Sequence, residues 1–466
     1  MNLSSTNYKI KNNFLYTAFL CLSILAIPMS FPLQVVFMSP LMALLPYFFL
    51  LISLFLVLPI FNIVKINYIF INIPFSLYLF VFFVLFNQLL QYSLGLIPVT
   101  ELISSISFLI LPIFFYIPFR FFMDKNNLKY IYYFILFGGL VGGIFYIYDT
   151  FSRFVFFELT SYSKMAFEYT LVQQGITNPE EANLARVSLT SRSHGLMPSH
   201  SISSFWIMIS YFSLMAIYNF KYKNKLIITL LYFLVLLLCM NFSAIFAFLF
   251  IIFFIYFEFF KIFFLKVSFS NILFIVFGFL ILTVIGLIIF FNQDSPLIVF
   301  FINIVYFQLN LLFGIGGDIA SLQAGSSASF SQYYLENFIN YIQIMLEFPF
   351  TALTGTGFSG TMMGYGGDTG IIETLSKFGP GVFIIILYGY LNLIYKCIIQ
   401  IQRNGNDYIK NQFKFIASVL LVILVYEYHY SIWSYKYVFP IFIIAYAMFH
   451  SLTKKNNIFI IRANSL

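Results

Sequence analysis

Charge is scarce in this sequence. Asp, Glu, Lys and Arg make up 9% of its 466 residues, against about a quarter in a soluble domain, so a water-soluble globular fold is excluded. Cysteine is scarcer still: Cys21, Cys239 and Cys397 all fall in or beside apolar runs, which leaves no disulfide framework for any loop. Metal-ligand spacing is missing too. His194 and His200 have no third ligand at a recognisable distance along the chain, so no metal and no cofactor is expected. There is no G-x-S-x-G nucleophile turn. Gly355-Thr356-Gly357-Phe358-Ser359-Gly360 matches the dinucleotide G-x-G-x-x-G spelling, but no strand precedes it and no βαβ unit surrounds it, so the match carries no cofactor. Internal repeats of solenoid or transporter-half type are absent. No small-residue cleavage site follows the first apolar run, which therefore reads as a retained helix.

What remains is apolar. Hydrophobic residues make up 61% of the chain and 66 residues are Phe, with a mean hydropathy of +0.95. A helix needs about 20 apolar residues to cross a bilayer core, and a basic or acidic side chain at its centre costs about 2.5–3.5 kcal/mol. Cutting the chain at its charges and polar turns predicts about twelve spans, near 14–31, 39–63, 68–91, 103–122, 130–148, 202–220, 225–240, 243–260, 268–291, 371–396, 414–429 and 436–452. The run 225–260 is twice a span's length and is divided at its only polar break, residues 241–243. The expected fold is an all-α polytopic membrane protein, one membrane domain over 1–466. Of the 24 basic residues, 18 fall on one set of loops and six on the other: Arg153, Lys164, Arg186, Arg192, Lys377 and Lys436. The rule that basic loops stay inside puts both termini in the cytoplasm. The net charge of +8 is then a topology signal, and no nucleic-acid partner is needed to explain it.

Two connections are long, 149–201 and 292–370, and both are expected on the extracytoplasmic face with short helices of their own. In the first, Asn178-Pro179-Glu180-Glu181 is a helix start: a capping Asn, a proline at the first helical position and two acids at the positive end of the dipole. That helix runs toward Arg186, and Arg192-Ser193-His194-Gly195 and Pro198-Ser199-His200 follow at the mouth of the next span. In the second, Phe330, Tyr334, Phe338, Tyr341, Met345 and Phe348 form one helical stripe, suited either to the membrane interface or to packing on the bundle top. Seven glycines follow within the 16 residues 355–370, a backbone built for close approach to a ligand or for bending as a lid. The second loop is acidic, with no Lys or Arg before Lys377, whereas the first carries Arg153, Lys164, Arg186 and Arg192. A phosphate-bearing ligand would be gripped by the first, since arginine forks match phosphate oxygens bidentately. The plain alternative for each arginine is an anchor snorkelling at the interface.

In these residues the chain resembles the O-antigen polymerase and ligase superfamily, bacterial enzymes that join glycans carried on polyprenyl diphosphate. Three features carry the resemblance, over residues 185–395: Arg192-x-x-Gly195 with Pro198-Ser199-His200 before a span, the polar turn Asn241-Phe242-Ser243-Ala244 between two spans, and Gly355-x-Gly357 with Asp368 and Phe378-Gly379. The resemblance implies an inverting glycosyltransferase without a nucleotide-sugar donor or a metal, in the bacterial cytoplasmic membrane. Its partners would be a polyprenyl-diphosphate-linked glycan donor and acceptor, membrane lipid and a chain-length regulator. Arg192 is expected on the diphosphate. Asp368 is expected at the acceptor hydroxyl, with capping of the following helix as its alternative. Arg186, Arg153, His194, His200, Gly195 and Gly357 are expected to line the substrate. Asp368-Thr369 stands where ligases carry His-Asn, which favours a polymerase, while the second loop lacks the arginine that polymerases often have there. A ligase, a glycan flippase or transporter, and a purely structural assembly protein are the rival readings.

Overall fold

In hydrocarbon a backbone N–H or C=O finds no water, so an apolar run satisfies its own polar groups by becoming a helix. A computed structural model describes residues 13–57, 72–95, 98–99, 102–103, 107, 110–121, 125–154, 156, 158–174, 193–220, 222–239, 241–257, 338–343, 346, 355, 370–427 and 436–453. Among them there is no strand. The helices are α1 (Asn13–Val36), α2 (Leu45–Val57), α3 (Phe75–Ser93), α4 (Tyr116–Phe121), α5 (Lys125–Phe154), α6 (Ser161–Gln174), α7 (His200–Ile217), α8 (Tyr222–Leu238), α9 (Phe242–Ile251), α10 (Gly370–Arg403), α11 (Asp407–Tyr426) and α12 (Phe439–Thr453). Short 3-10 turns at Pro40–Leu44 and Leu111–Phe115 lead into α2 and α4, and a π turn at Ile252–Tyr256 ends α9.

Among the described residues, six stretches are long and apolar enough to cross a membrane: Phe14–Val36, Phe75–Ser93, Leu128–Arg153, His200–Ile217, Phe383–Arg403 and Asp407–Tyr426. The protein is a helical membrane protein. The expected span 268–291 lies outside the described residues, as do most of the second long connection and residues 175–192.

Glycine sets the packing at the centre. A Cβ on Gly139 of α5 would lie 2.4 Å from Cβ of Ser210 and 2.6 Å from the Trp206 carbonyl oxygen on α7. Gly143, one turn on, faces Ile207. This small-x-x-x-small face lets two helices approach closely, the packing that replaces the hydrophobic effect inside lipid. On the adjacent face of α5, a Cβ on Gly138 would stand 3.0 Å from Pro28 of α1. The glycine pair thus seats α5 between α1 and α7. Helix α7 is almost wholly buried, and Ser201, Ser203, Ser204, Ser210 and Ser213 are buried along it. Asn241 caps α9 by accepting from the Ala244 N–H, and its amide donates to Ser201 Oγ at 3.1 Å. The break between α8 and α9 therefore falls at the polar turn that divides the long apolar run.

Three expected boundaries shift. Helix α5 continues past 148 to Phe154, carrying Asp149 and Arg153 on the span and not on a loop. The expected span 371–396 is two helices, because Gly379 sits at φ 75°, ψ 164° and Pro380 starts a new segment. Only glycine makes that corner without strain. The expected span 103–122 contains the 3-10 turn and short α4 in its described part.

The bundle has two chemically different ends. One gathers Lys129, Lys225 and Lys414, each over an aromatic ring at 5.0–5.9 Å, and here Asn219 donates to Asp407 at 3.3 Å. The other holds the last turn of α5, α6, the start of α7 and the turn before α12.

Candidate functional site

Asp149 and Arg153 are four residues apart on α5, the spacing and order that let an acid meet a following cation. Both are buried, the side chains 0% and 7% exposed, and Arg153 Nε donates to Asp149 Oδ2 at 2.9 Å. Three hydroxyls complete the carboxylate. Ser193 Oγ donates to Oδ2 at 2.6 Å, and Thr160 Oγ1 and Ser163 Oγ donate to Oδ1 at 2.9 and 2.5 Å. A charge stripped of water survives when paired and fully hydrogen-bonded. Asp149 thereby ties the end of α5 to the start of α6 and to residue 193.

That tie is one of several holding residues 193–199. Tyr146, one turn before Asp149, donates to the Ser193 carbonyl at 2.8 Å. Ser203 donates to the His194 carbonyl at 2.5 Å and Tyr162 to the Leu196 carbonyl at 3.0 Å. Burial and the neighbouring Asp149 charge raise the pKa of Tyr162, so its hydroxyl keeps the proton it donates. Gly195 adopts φ +60°, and a Cβ there would come within 2.8 Å of Tyr146 Cδ2. Ser199 closes the turn by accepting from the Ile202 N–H, the cap of α7. The rings of His194 and His200 lie 6.2 Å apart. Phe31, Arg153, Ser163, Phe167, His194 and Gly195 line a cleft of about 30 Å³, water-sized and too small for a sugar.

Beside Phe31 sits a second cation. Lys436, in the turn before α12, donates to Gln34 Oε1 at 3.2 Å. Tyr169 donates to the same oxygen, and Gln34 donates to the Tyr437 hydroxyl. Burial pushes the Lys436 ammonium down to about 8.

A separate polar cluster surrounds the start of α10. Gly355 packs on the α10 corner so closely that a Cβ would lie 2.3 Å from the Lys377 carbonyl oxygen, and its own carbonyl accepts from Gln91 at 2.6 Å. The first glycine of the Gly-rich run is thus required by contact with α10. Glu373 pairs with Lys377, and Thr374 donates to Glu427.

The structure brings Arg153, His194 and Gly195 to one cleft, with His200 beside them. Arg186, Arg192, Gly357 and Asp368 lie outside the described residues. Among the described residues no group of three His, Cys, Asp or Glu side chains gathers as a metal site would. Two features escape the sequence reading. Asp149, set on a span in the structure, is signalled only by its four-residue spacing from Arg153. Lys436 is visible only as one of six minority-face cations, because its partner Gln34 is 402 residues away. The chain matches no protein-family model, and no curated protein matches it.

Proposed function

We propose that the protein polymerises polyprenyl-diphosphate-linked oligosaccharide repeats on the outer face of the bacterial cytoplasmic membrane, with both termini inside. The observation that carries this reading is the pinned turn 193–199, which directly follows Arg192. A ligand-gripping arginine needs a backbone held by its surroundings, and this backbone is held by Tyr146, Asp149, Tyr162 and Ser203 together. Asp149 matches the charge of Arg153, so the diphosphate falls chiefly to Arg192 and Arg186. In the reaction, a sugar hydroxyl of the acceptor attacks the anomeric carbon of the donor from the face opposite the diphosphate. The bond from that carbon to the diphosphate oxygen breaks, the electron pair leaves on the lipid diphosphate, and the hydroxyl proton passes to Asp368. Such general-base assistance contributes about 10²–10⁴ in rate.

The test is polymer length in cells carrying variants that still insert. Arg192→Lys keeps charge but loses the bidentate fork, so long chains should vanish; wild-type polymer from Arg192→Ala ends the assignment. Asp368→Asn keeps a helix cap but not a base, so intact polymer from that variant makes Asp368 a cap. A lipid-linked glycan transporter is the second reading, favoured by the buried serines of α7 with Asn241 and Tyr426, since polar groups inside spans mark substrate paths. Purified protein in detergent separates the two: elongation of lipid-linked repeats without a membrane to cross belongs to a polymerase only.

A further inference from the structure

A cavity of about 280 Å³ lies between α3, α10 and α12 and shares no lining residue with the cleft at Arg153. Its walls are apolar: Leu77 and Phe80 of α3, Ile386 and Leu393 of α10, Phe442 and Phe449 of α12. Its polar groups gather at one end, where Lys396, Asn392 and His450 meet the hydrogen-bonded pair of Ser76 and Tyr446, 2.7 Å apart. That end is the basic end of the bundle, since α12 runs there from Lys436, and Phe449 packs on Phe413 beside Lys414. Along α12 the groove extends from Phe439 to His450, about 16 Å at the helical rise. One leaflet's hydrocarbon is about 15 Å deep. The α10 wall faces outward, with Tyr388 70% and Ile385 43% exposed.

From this geometry we infer that the groove is a binding site for one anionic glycerophospholipid, an acyl chain along α12 and the phosphate at Lys396 and His450. Length selects the occupant, because an apolar slot as deep as one leaflet and open along its side fits an acyl chain. Charge selects the headgroup, since basic pockets between helices at a membrane surface take anionic lipids. Lys396 is exposed two turns before the end of α10, where its ammonium reaches the interface by snorkelling. The site is independent of the proposed polymerase chemistry.

The full chain, reconstituted with mixed phosphatidylglycerol and phosphatidylcholine and analysed by native mass spectrometry, tests this. One phosphatidylglycerol should be retained preferentially. Lys396→Glu should cut that retention by roughly fivefold or more, the factor one basic residue supplies beside an anionic headgroup, while Lys396→Arg keeps it. Gly389 lines the groove, and a Cβ on it meets nothing within 4 Å. Gly389→Leu therefore fills the slot without a backbone clash and should displace the lipid whatever its charge. Equal retention of the two lipids, or wild-type retention in both Lys396→Glu and Gly389→Leu, overturns the inference. So does a photo-crosslinker at Tyr388 that couples to another segment of the chain instead of to lipid.

Discussion

At the basic end, Lys225 donates to the Tyr256 carbonyl at 2.8 Å and lies over the rings of Tyr256 and Phe257, and Lys414 also lies over the Tyr256 ring. At the opposite end, Arg153 and Lys377 meet carboxylates, and the Asp149 carboxylate meets hydroxyls. The same scarce charges serve two purposes. At the basic end the described contacts of Lys225 and Lys414 are to rings and a carbonyl, which place a cation loosely. Ion pairs closed by hydroxyls neutralise charge and demand geometry, so the Asp149 end converts charge into a rigid turn. Removing one charge should therefore cost much at the Asp149 end and little at the basic end.

The largest effect is expected from Asp149→Ala. It removes the carboxylate that pairs with Arg153, a change that costs about 3–5 kcal/mol for a buried pair, and it takes away the acceptor that Ser193, Thr160 and Ser163 share. Thermal unfolding in detergent should show a large drop. The double change Asp149→Leu with Arg153→Met should recover most of it, since replacing both partners removes both charges of the pair. A double variant no more stable than the single would mean that the hydroxyl ties, not the ion pair, carry the site.

Next in size is Gly195→Val. A β-branched residue at φ +60° is strained by about 1–3 kcal/mol, and its Cβ meets Tyr146. The protein should still insert, while the turn at 193–199 becomes open to protease. Unchanged protection would show that Gly195 is not what shapes the turn.

Lys225→Met at the basic end should be milder, about 0.5–2 kcal/mol for its ring contacts. A loss as large as that of Asp149→Ala would collapse the distinction between the ends.

The smallest effect concerns pH. Lys436 holds its proton less tightly in the folded protein than in the unfolded chain, about 8 against 10.5. Well below pH 8 both states are protonated and the burial cost is constant. From pH 8 toward 10.5 the unfolded chain binds more protons, so stability rises with pH across that window. Wild type should gain thermal stability between about pH 8 and 9.5 relative to Lys436→Met. Parallel curves for the two would place the ammonium in water.

Much of the fold is readable from local sequence because lipid imposes a local rule. Apolar runs of span length must be helices, and polar breaks such as Asn241 and the proline-serine start of α7 mark where they end. The corner inside α10 is also written in the chain, as Phe378-Gly379-Pro380, yet hydropathy reads straight through it because glycine and proline cost little in a span average. The overrun of α5 to Phe154 escapes for the opposite reason. Asp149 and Arg153 look like the end of a span when counted singly, and only as a neutral pair can they stay buried on a helix.

By itself, the sequence determined that this protein is helical, lives in lipid and carries its basic residues asymmetrically, because each of those properties is set by composition and spacing within about 20 residues. Tertiary structure alone decided which polar groups meet. Ser193 reaches Asp149 across 44 residues, Lys436 reaches Gln34 across 402, and Ser76 reaches Tyr446 across 370. Hydrogen bonds and close glycine contacts are specific to a pair of surfaces, and no periodicity along one helix records which surface of another it will face.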